Sequence, residues 1–172
     1  MPALSGLFLL EPDMELKTAG THLYLLDPDS PTTPIKFKCP TGITGVTTGA
    51  RSRIDTTCLD ETDEMSYASG LGDPGTVSVP FILDSEDGSH QRIFELKKTS
   101  ENLKWIIGFS DGTSVPTAAA GALVPGADRS WLAFTAYIAD LDIDVANNEV
   151  VRGTMTLQRS GGYTLTWKEP AV

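Results

Sequence analysis

Val151-Arg152-Gly153-Thr154-Met155-Thr156-Leu157-Gln158 is the stretch whose reading decides the fold class. Val151, Gly153, Met155 and Leu157 alternate with Arg152, Thr154, Thr156 and Gln158. Successive side chains of a strand point to opposite faces, so this pattern is a strand with one face in a core and the other in water. The segment before it behaves the same way. Leu132, Phe134, Ala136 and Ile138 share one face, and Trp131, Thr135 and Tyr137 share the other. Asn147-Asn148 between the two runs reads as a turn.

Working outward, the same period recurs. Thr21 to Leu26 is a short run closed by Asp27-Pro28-Asp29, and Leu103, Trp105, Ile107 and Phe109 form a stripe closed by Asp111-Gly112. Val77, Val79, Phe81 and Leu83 alternate with Thr76, Ser78 and Pro80. Proline cannot donate to a ladder, so Pro80 assigns that run to an edge strand or a bulge. Ile43 to Thr57 is strand-like but rich in Thr and Gly, which specifies register weakly. One segment departs from the period. Ser89 to Ser100 has a capping Ser89, Ile93 and Leu96 three apart, and Lys97 and Lys98 in its last turn, a short helix with its charges set along the dipole. One helix among six or more strands predicts a mainly β chain, an antiparallel β-sandwich or partial barrel with one flanking helix.

Two stretches exceed ordinary loops. Residues 55–75 are strongly acidic, and from Ile54 to Gln91 nine acids occur with no Lys or Arg. Residues 113–129 are built from Ala, Gly and Pro. The chain is then read as a single β domain over residues 1–172, with an N-terminal arm (1–16), the acidic loop, the insertion and a C-terminal tail (160–172).

Composition narrows function. The chain has 172 residues, 13 Lys+Arg against 23 Asp+Glu, and a formal net charge of −10. That disfavours a general nucleic-acid binder, whose affinity comes from clustered cations. No run of 18 apolar residues occurs, and Leu4 to Leu10 lacks both the basic flank and the cleavage site of a signal peptide. Cys39 and Cys58 lie 19 apart with no His nearby, which reads as two reduced thiols rather than a disulfide framework or a zinc site.

Catalytic patterns are missing. Neither G-x-S-x-G nor a phosphate-binding G-x-x-x-x-G-K-[ST] occurs. Gly70 to Gly75 spells G-x-G-x-x-G, but Asp73-Pro74-Gly75 is a turn leading into a strand, whereas pyrophosphate binding needs a helix N-terminus there. Asp140, Asp142 and Asp144 have the spacing of a calcium loop's first ligands, yet Val145 and Val151 stand where Gly and Glu are required. His22 and His90 have no partner motif. No cofactor or metal is expected, and no enzyme emerges. The cluster Asp60, Glu61, Asp63, Glu64, followed by Met65 and Tyr67, fits docking against a basic partner surface better than plain solvation.

The order of features is informative as a whole. Lys17-Thr18-Ala19-Gly20-Thr21 leads into the first strand. A Thr/Gly-rich strand, the acidic stretch and Ser69-Gly70-Leu71-Gly72-Asp73-Pro74-Gly75-Thr76 follow, then an edge strand, one helix, the strand ending at Asp111-Gly112 and a closing strand pair. From about Lys17 to Arg159 this order resembles the major tail tube proteins of lambda-type, long-tailed, non-contractile phages. The resemblance implies a virion protein, assembled in the host cytoplasm, of which six copies form a ring whose inner strands join into a continuous barrel. Stacked rings would form the tube that DNA traverses without sequence-specific binding, and the tape measure, tail tip and terminator proteins would be further partners. Two departures stand out: residues 113–129 replace a tight hairpin, and no immunoglobulin-like domain follows the last strand. A negative wall suits a conduit because it repels phosphate. Asp140, Asp142 and Glu149, flanking the last two strands, are lumen candidates. Asp60, Glu61, Asp63, Glu64, Met65 and Tyr67 are contact candidates, with Lys97 and Lys98 as the receiving cations. The acidic loop is expected to order on subunit contact. Other readings are a tail terminator or head-tail joining protein of related fold, a ligand-binding β-barrel with Trp105, Trp131 and Phe134 lining a pocket, and a hydrolase with dispersed carboxylates.

Overall fold

A computed structural model describes residues 15–169, so residues 1–14 and 170–172, including the Leu4–Leu10 run, lie outside the described residues. The elements follow in the order β1 (His22–Leu26), β2 (Pro34–Phe37), β3 (Arg51–Asp55), β4 (Tyr67–Gly72), β5 (Thr76–Ile82), α1 (Gly88–Thr99), β6 (Leu103–Gly108), β7 (Thr117–Ala119), β8 (Ala122–Val124), β9 (Trp131–Asp144) and β10 (Arg152–Thr166). Six strands form one antiparallel sheet in the order β2-β1-β6-β9-β10-β5, and β3-β4 and β7-β8 are separate hairpins.

The alternation read from the sequence is what buries the core. Leu132, Phe134, Ala136 and Ile138 of β9 and Met155 and Leu157 of β10 face Ile93 and Leu96 of α1. Leu103, Trp105 and Ile107 of β6, Leu23 and Leu25 of β1, and Val77, Val79 and Phe81 of β5 complete that side. The sheet curls until its outer strands approach: the rings of Phe37 (β2) and Phe81 (β5) stand edge to face at 5.2 Å. The segment after β2 runs along β5, where Thr41 N donates to Pro80 O (2.8 Å) and Ser78 and Thr44 exchange backbone bonds (2.9 and 3.0 Å). These are isolated bridges and no ladder closes the sheet, so the partial barrel stays open. Pro80 does lie on an edge strand, as a residue without an N–H must.

Four details differ from the sequence reading. The helix is capped by Asp87, whose carboxylate accepts the Ser89 N–H at 2.8 Å; Ser89 itself is buried and bonded to Asp87. Residues 160–172 are not all tail, because β10 continues to Thr166. A register shift between Arg159 and Tyr163, with Gly161 at φ +85°, absorbs extra residues and lets pairing with β9 resume. Residues 113–129 contain the β7-β8 hairpin, turned at Ala120-Gly121 with both φ positive, the tight-turn geometry of paired strands. Between Ile43 and Thr57, only Arg51–Asp55 forms a strand.

The insertion covers part of the second sheet face. Tyr24, Ile106 and Trp131 are buried there against Leu123, and Trp131 Nε1 donates to Gly126 O at 2.8 Å. Arg129, 1% exposed, clamps it down. Its guanidinium donates to the carbonyls of Gly20 (2.7 Å), Gly108 (2.5 Å), Ser114 (3.2 Å) and Phe109. A Cβ on Gly108 would stand 2.7 Å from Arg129 Cζ, which is why glycine ends β6.

Candidate functional site: free edges, a polar face and an acidic arm

β9 and β10 are much longer than their neighbours, and this leaves two edges without a neighbouring strand. β6 pairs with β9 only as far as Leu103↔Ala136, whereas β10 follows β9 to Arg152↔Asp144. Beyond Ala136, β9 therefore has a strand on one side alone. At the other end, β5 covers β10 from Arg152 to Gln158, and Tyr163–Thr166 pairs only with β9. One free edge lies on the β6 side near the β9–β10 turn; the other lies on the β5 side at the opposite end. Unpaired edges are templates for another strand.

Between these edges the face turned away from the core is uncovered and polar. Its parity depends on Ala139, the extra residue where Thr156 opposes Asp140 but Leu157 opposes Ile138. Past that bulge the odd residues Leu141 and Ile143 take the core side, with Leu141 packed against the core. Asp140, Asp142 and Asp144 then stand on the outer face opposite Thr156, Thr154 and Arg152. Ser78, Pro80 and Ile82 continue the rows on β5. The lumen candidates Asp140 and Asp142 thus share one column, and Asp144 joins it, a residue that strict alternation through Ile138 would have sent inward with the other even positions. Glu149 lies instead in the turn between β9 and β10.

The 55–75 stretch is a hairpin arm and not a loop throughout. Asp55 and Tyr67–Gly72 are in strands, with Asp55 opposite Tyr67, and Thr56 N donates to Ser66 O at 2.9 Å. Neither strand alternates in burial, because β3 and β4 pair only with each other and are exposed on both faces. Asp60, Glu61, Asp63, Glu64 and Met65 sit at its exposed end. Arg53 covers the Tyr67 ring at 4.3 Å, and Leu59, Met65 and Leu71 are among the most exposed apolar side chains described. Since the arm joins β5 at Thr76, it leaves the sheet at the end opposite the β9–β10 turn. Buried Arg159 reaches the Val46 carbonyl beside the arm's base.

The candidate receiving cations divide. Lys98 is exposed, but Lys97 Nζ is 2.8 Å from Asp140 Oδ1, so a proposed contact residue and a proposed lumen residue are partners within one chain. Lys97, and then the Leu141 N–H, hold the Asp140 carboxyl below the usual carboxylate range. Among the described residues no group of three His, Cys, Asp or Glu converges as a metal site. Trp105 and Trp131 are 1% exposed and Phe134 5%, and both indole N–H groups are bonded to backbone carbonyls. His90 is structural: it links the Asp84 N–H (3.0 Å) and the Lys38 carbonyl (2.8 Å) and packs on Phe37 and Phe81.

Comparison with known proteins meets this geometry. A family model described as phage tail tube, TTP, lambda-like, matches residues 14–169. Structural protein 3 of Pseudomonas phage PAJU2 is 40% identical over 152 residues, covering 85% of this chain and 90% of that protein. The fold is shared with the SPP1 tail tube, at 10% identity and a TM-score of 0.67 over 90% of this chain and 80% of that one. It is also shared with a chain of the six-fold symmetrised anti-feeding prophage baseplate, at 10% identity and a TM-score of 0.63 over 91% and 97%. The family match spans every described residue and the phage relative is 40% identical: this chain belongs to the lambda-like phage tail tube proteins, structural components of the virion.

Proposed function

We propose that the chain closes into six-membered rings, that the rings stack into a hollow tube, and that the uncovered face of β5, β10 and β9 lines its lumen. The observation that carries this is the pair of free edges on opposite sides of one open sheet. Two different edges meeting head to tail extend a sheet from copy to copy, and such contacts close into a ring when the rotation allows. Six-fold symmetry in an assembly containing a chain of the same fold supports the ring number. Hydroxyls of Ser78, Thr154 and Thr156 beside an aspartate column would give a wall that repels phosphate.

The arm is suited to contacts between rings. It projects from one end of the sheet while the β9–β10 turn forms the other, and its acids call for cations from another chain. Lys98 and other tail proteins (tape measure, tip and terminator) are the partners this reading assigns, with assembly in the host cytoplasm. Any of the arm's tip residues that order only on contact cost on the order of 1–2 kcal/mol each, so many contacts must form together and assembly becomes cooperative.

Electron microscopy of the purified chain at rising concentration tests the reading. Hollow tubes or six-membered rings are expected, and a strict monomer at millimolar concentration under varied salt overturns it. Asp142→Lys combined with Asp144→Lys should leave tubes intact but slow genome passage, because phosphate would stick along the path. Unchanged DNA delivery removes this face from the lumen.

A further inference from the structure

The free edge of β9 is not bare in the isolated subunit. The Leu141 N–H donates to Asp140 Oδ1 at 2.9 Å. The same oxygen accepts Lys97 Nζ at 2.8 Å. Lys97 sits in the last turn of α1, which packs on β9 and leads into β6, so it approaches from the side where β6 has ended. A carboxylate here satisfies the donor that an added strand would use, and a lysine holds that carboxylate in place.

We infer that β9 around Leu141–Asp144 is the edge to which a strand of a second copy adds, and that the Asp140–Lys97 pair is a removable cap restraining that addition in the free subunit. This rests on the self-assembly reading above and adds to it a means of restraint. The occupant is a second copy because the same chain carries the complementary free edge, Tyr163–Thr166 of β10, on the other side of the sheet. Residues 160–166 hold no charged side chain, so laying them beside Asp142 and Asp144 brings no like charges together. Charged groups at an edge are a common defence against unscheduled pairing, and this one is held by two contacts that a neighbouring strand could replace. Once the edge is paired, the Leu141 N–H has a carbonyl partner and the carboxylate is released to the outer face.

The test is the critical concentration for polymerisation of the full chain, measured by sedimentation and checked by electron microscopy. Asp140→Ala uncovers the Leu141 amide and should lower that concentration roughly 2- to 10-fold, the range of one net hydrogen bond. Leu141→Pro deletes the donor and should raise it, provided the free subunit melts as the wild type does. If that variant does not fold, hydrogen exchange in wild-type tubes decides instead: the amides of Leu141 and Ile143 should be much better protected in the tube than in the subunit, where Leu141 has only the Asp140 carboxylate as partner. An unchanged or raised critical concentration for Asp140→Ala overturns the cap. Tubes whose Leu141 and Ile143 amides exchange as fast as in the subunit overturn the edge assignment while leaving self-assembly standing. A wild type that never assembles defeats the underlying reading.

Discussion

Replacing Arg129 by Ala should cost the free subunit about 3–5 kcal/mol, the upper range for a single substitution that breaks a buried hydrogen-bond network. The side chain is 1% exposed, and four backbone carbonyls accept its N–H groups. Two effects compete. Removing a buried guanidinium ends a desolvation cost of several kcal/mol, which favours the variant. Against that stand four charge-assisted hydrogen bonds at roughly 1.5–3 kcal/mol each, and carbonyls that cost about 1–3 kcal/mol apiece if left dry. The second set is larger, even if water reaches half of the carbonyls. Contact with the Trp131 ring, 5.1 Å from Cζ, is lost as well. With a urea dependence near 2 kcal/mol per molar, the unfolding midpoint should fall by roughly 2 M, and Trp131 fluorescence should shift to the red as the insertion loosens. Arg129→Lys keeps the charge but offers donors from a single point, so about half the loss is expected. A midpoint shift below about 0.5 M for Arg129→Ala, at unchanged slope, would refute the reasoning: the carbonyls would then find water at no cost.

Gly153→Ala would place a Cβ 2.5 Å from Phe81 Cζ, in a ring already wedged between Phe37 and His90, so Tm should drop by roughly 3–10 °C in calorimetry. Asp27 accepts Arg92 through both oxygens at 2.7 Å, and that guanidinium holds its carboxyl below the usual range. A carboxyl lowered on folding adds stability above its unfolded value of about 3.9, and that stability is lost as pH falls through the lower folded value. Acid titration followed by circular dichroism should therefore show a smaller loss below about pH 4 in Asp27→Asn than in the wild type. The slope that remains belongs to Asp55, Asp84, Asp87, Asp111 and Asp140, whose carboxyls are also lowered.

What could be read from the sequence follows from burial. β9, β10, β5 and β6 show their alternation because one face of each lies in the core, and Pro80 announces an edge through its missing donor. β3 and β4 give no such signal, since Arg51–Asp55 and Tyr67–Gly72 are wet on both faces. Ser160-Gly161-Gly162 reads as a stop, yet the glycines accommodate a bulge and the strand goes on. The Ala/Gly hairpin of the insertion is specified by two positive φ angles and by Arg129, neither of which has a local period. Of the candidate residues, the acidic cluster lies at the end of an arm exposed on both faces, where burial imposes no period. The Lys97–Asp140 pair joins residues 43 positions apart and needed the helix to be laid against β9 before it could be seen.

Ala139 deserves to be considered as punctuation. In a strand, meaning is carried two residues at a time, and one extra residue changes the phase of everything downstream. Were Ala139 an ordinary strand residue, with no bulge to absorb it, Asp140, Asp142 and Asp144 would turn toward the core and Leu141 and Ile143 toward water, with no change in the charge of any side chain. An exposed acidic face and a packed interior would exchange places along the far half of the longest hairpin. The outer face of this protein is therefore written in the spacing of its residues as much as in their identity, and a small methyl-bearing residue sets the frame.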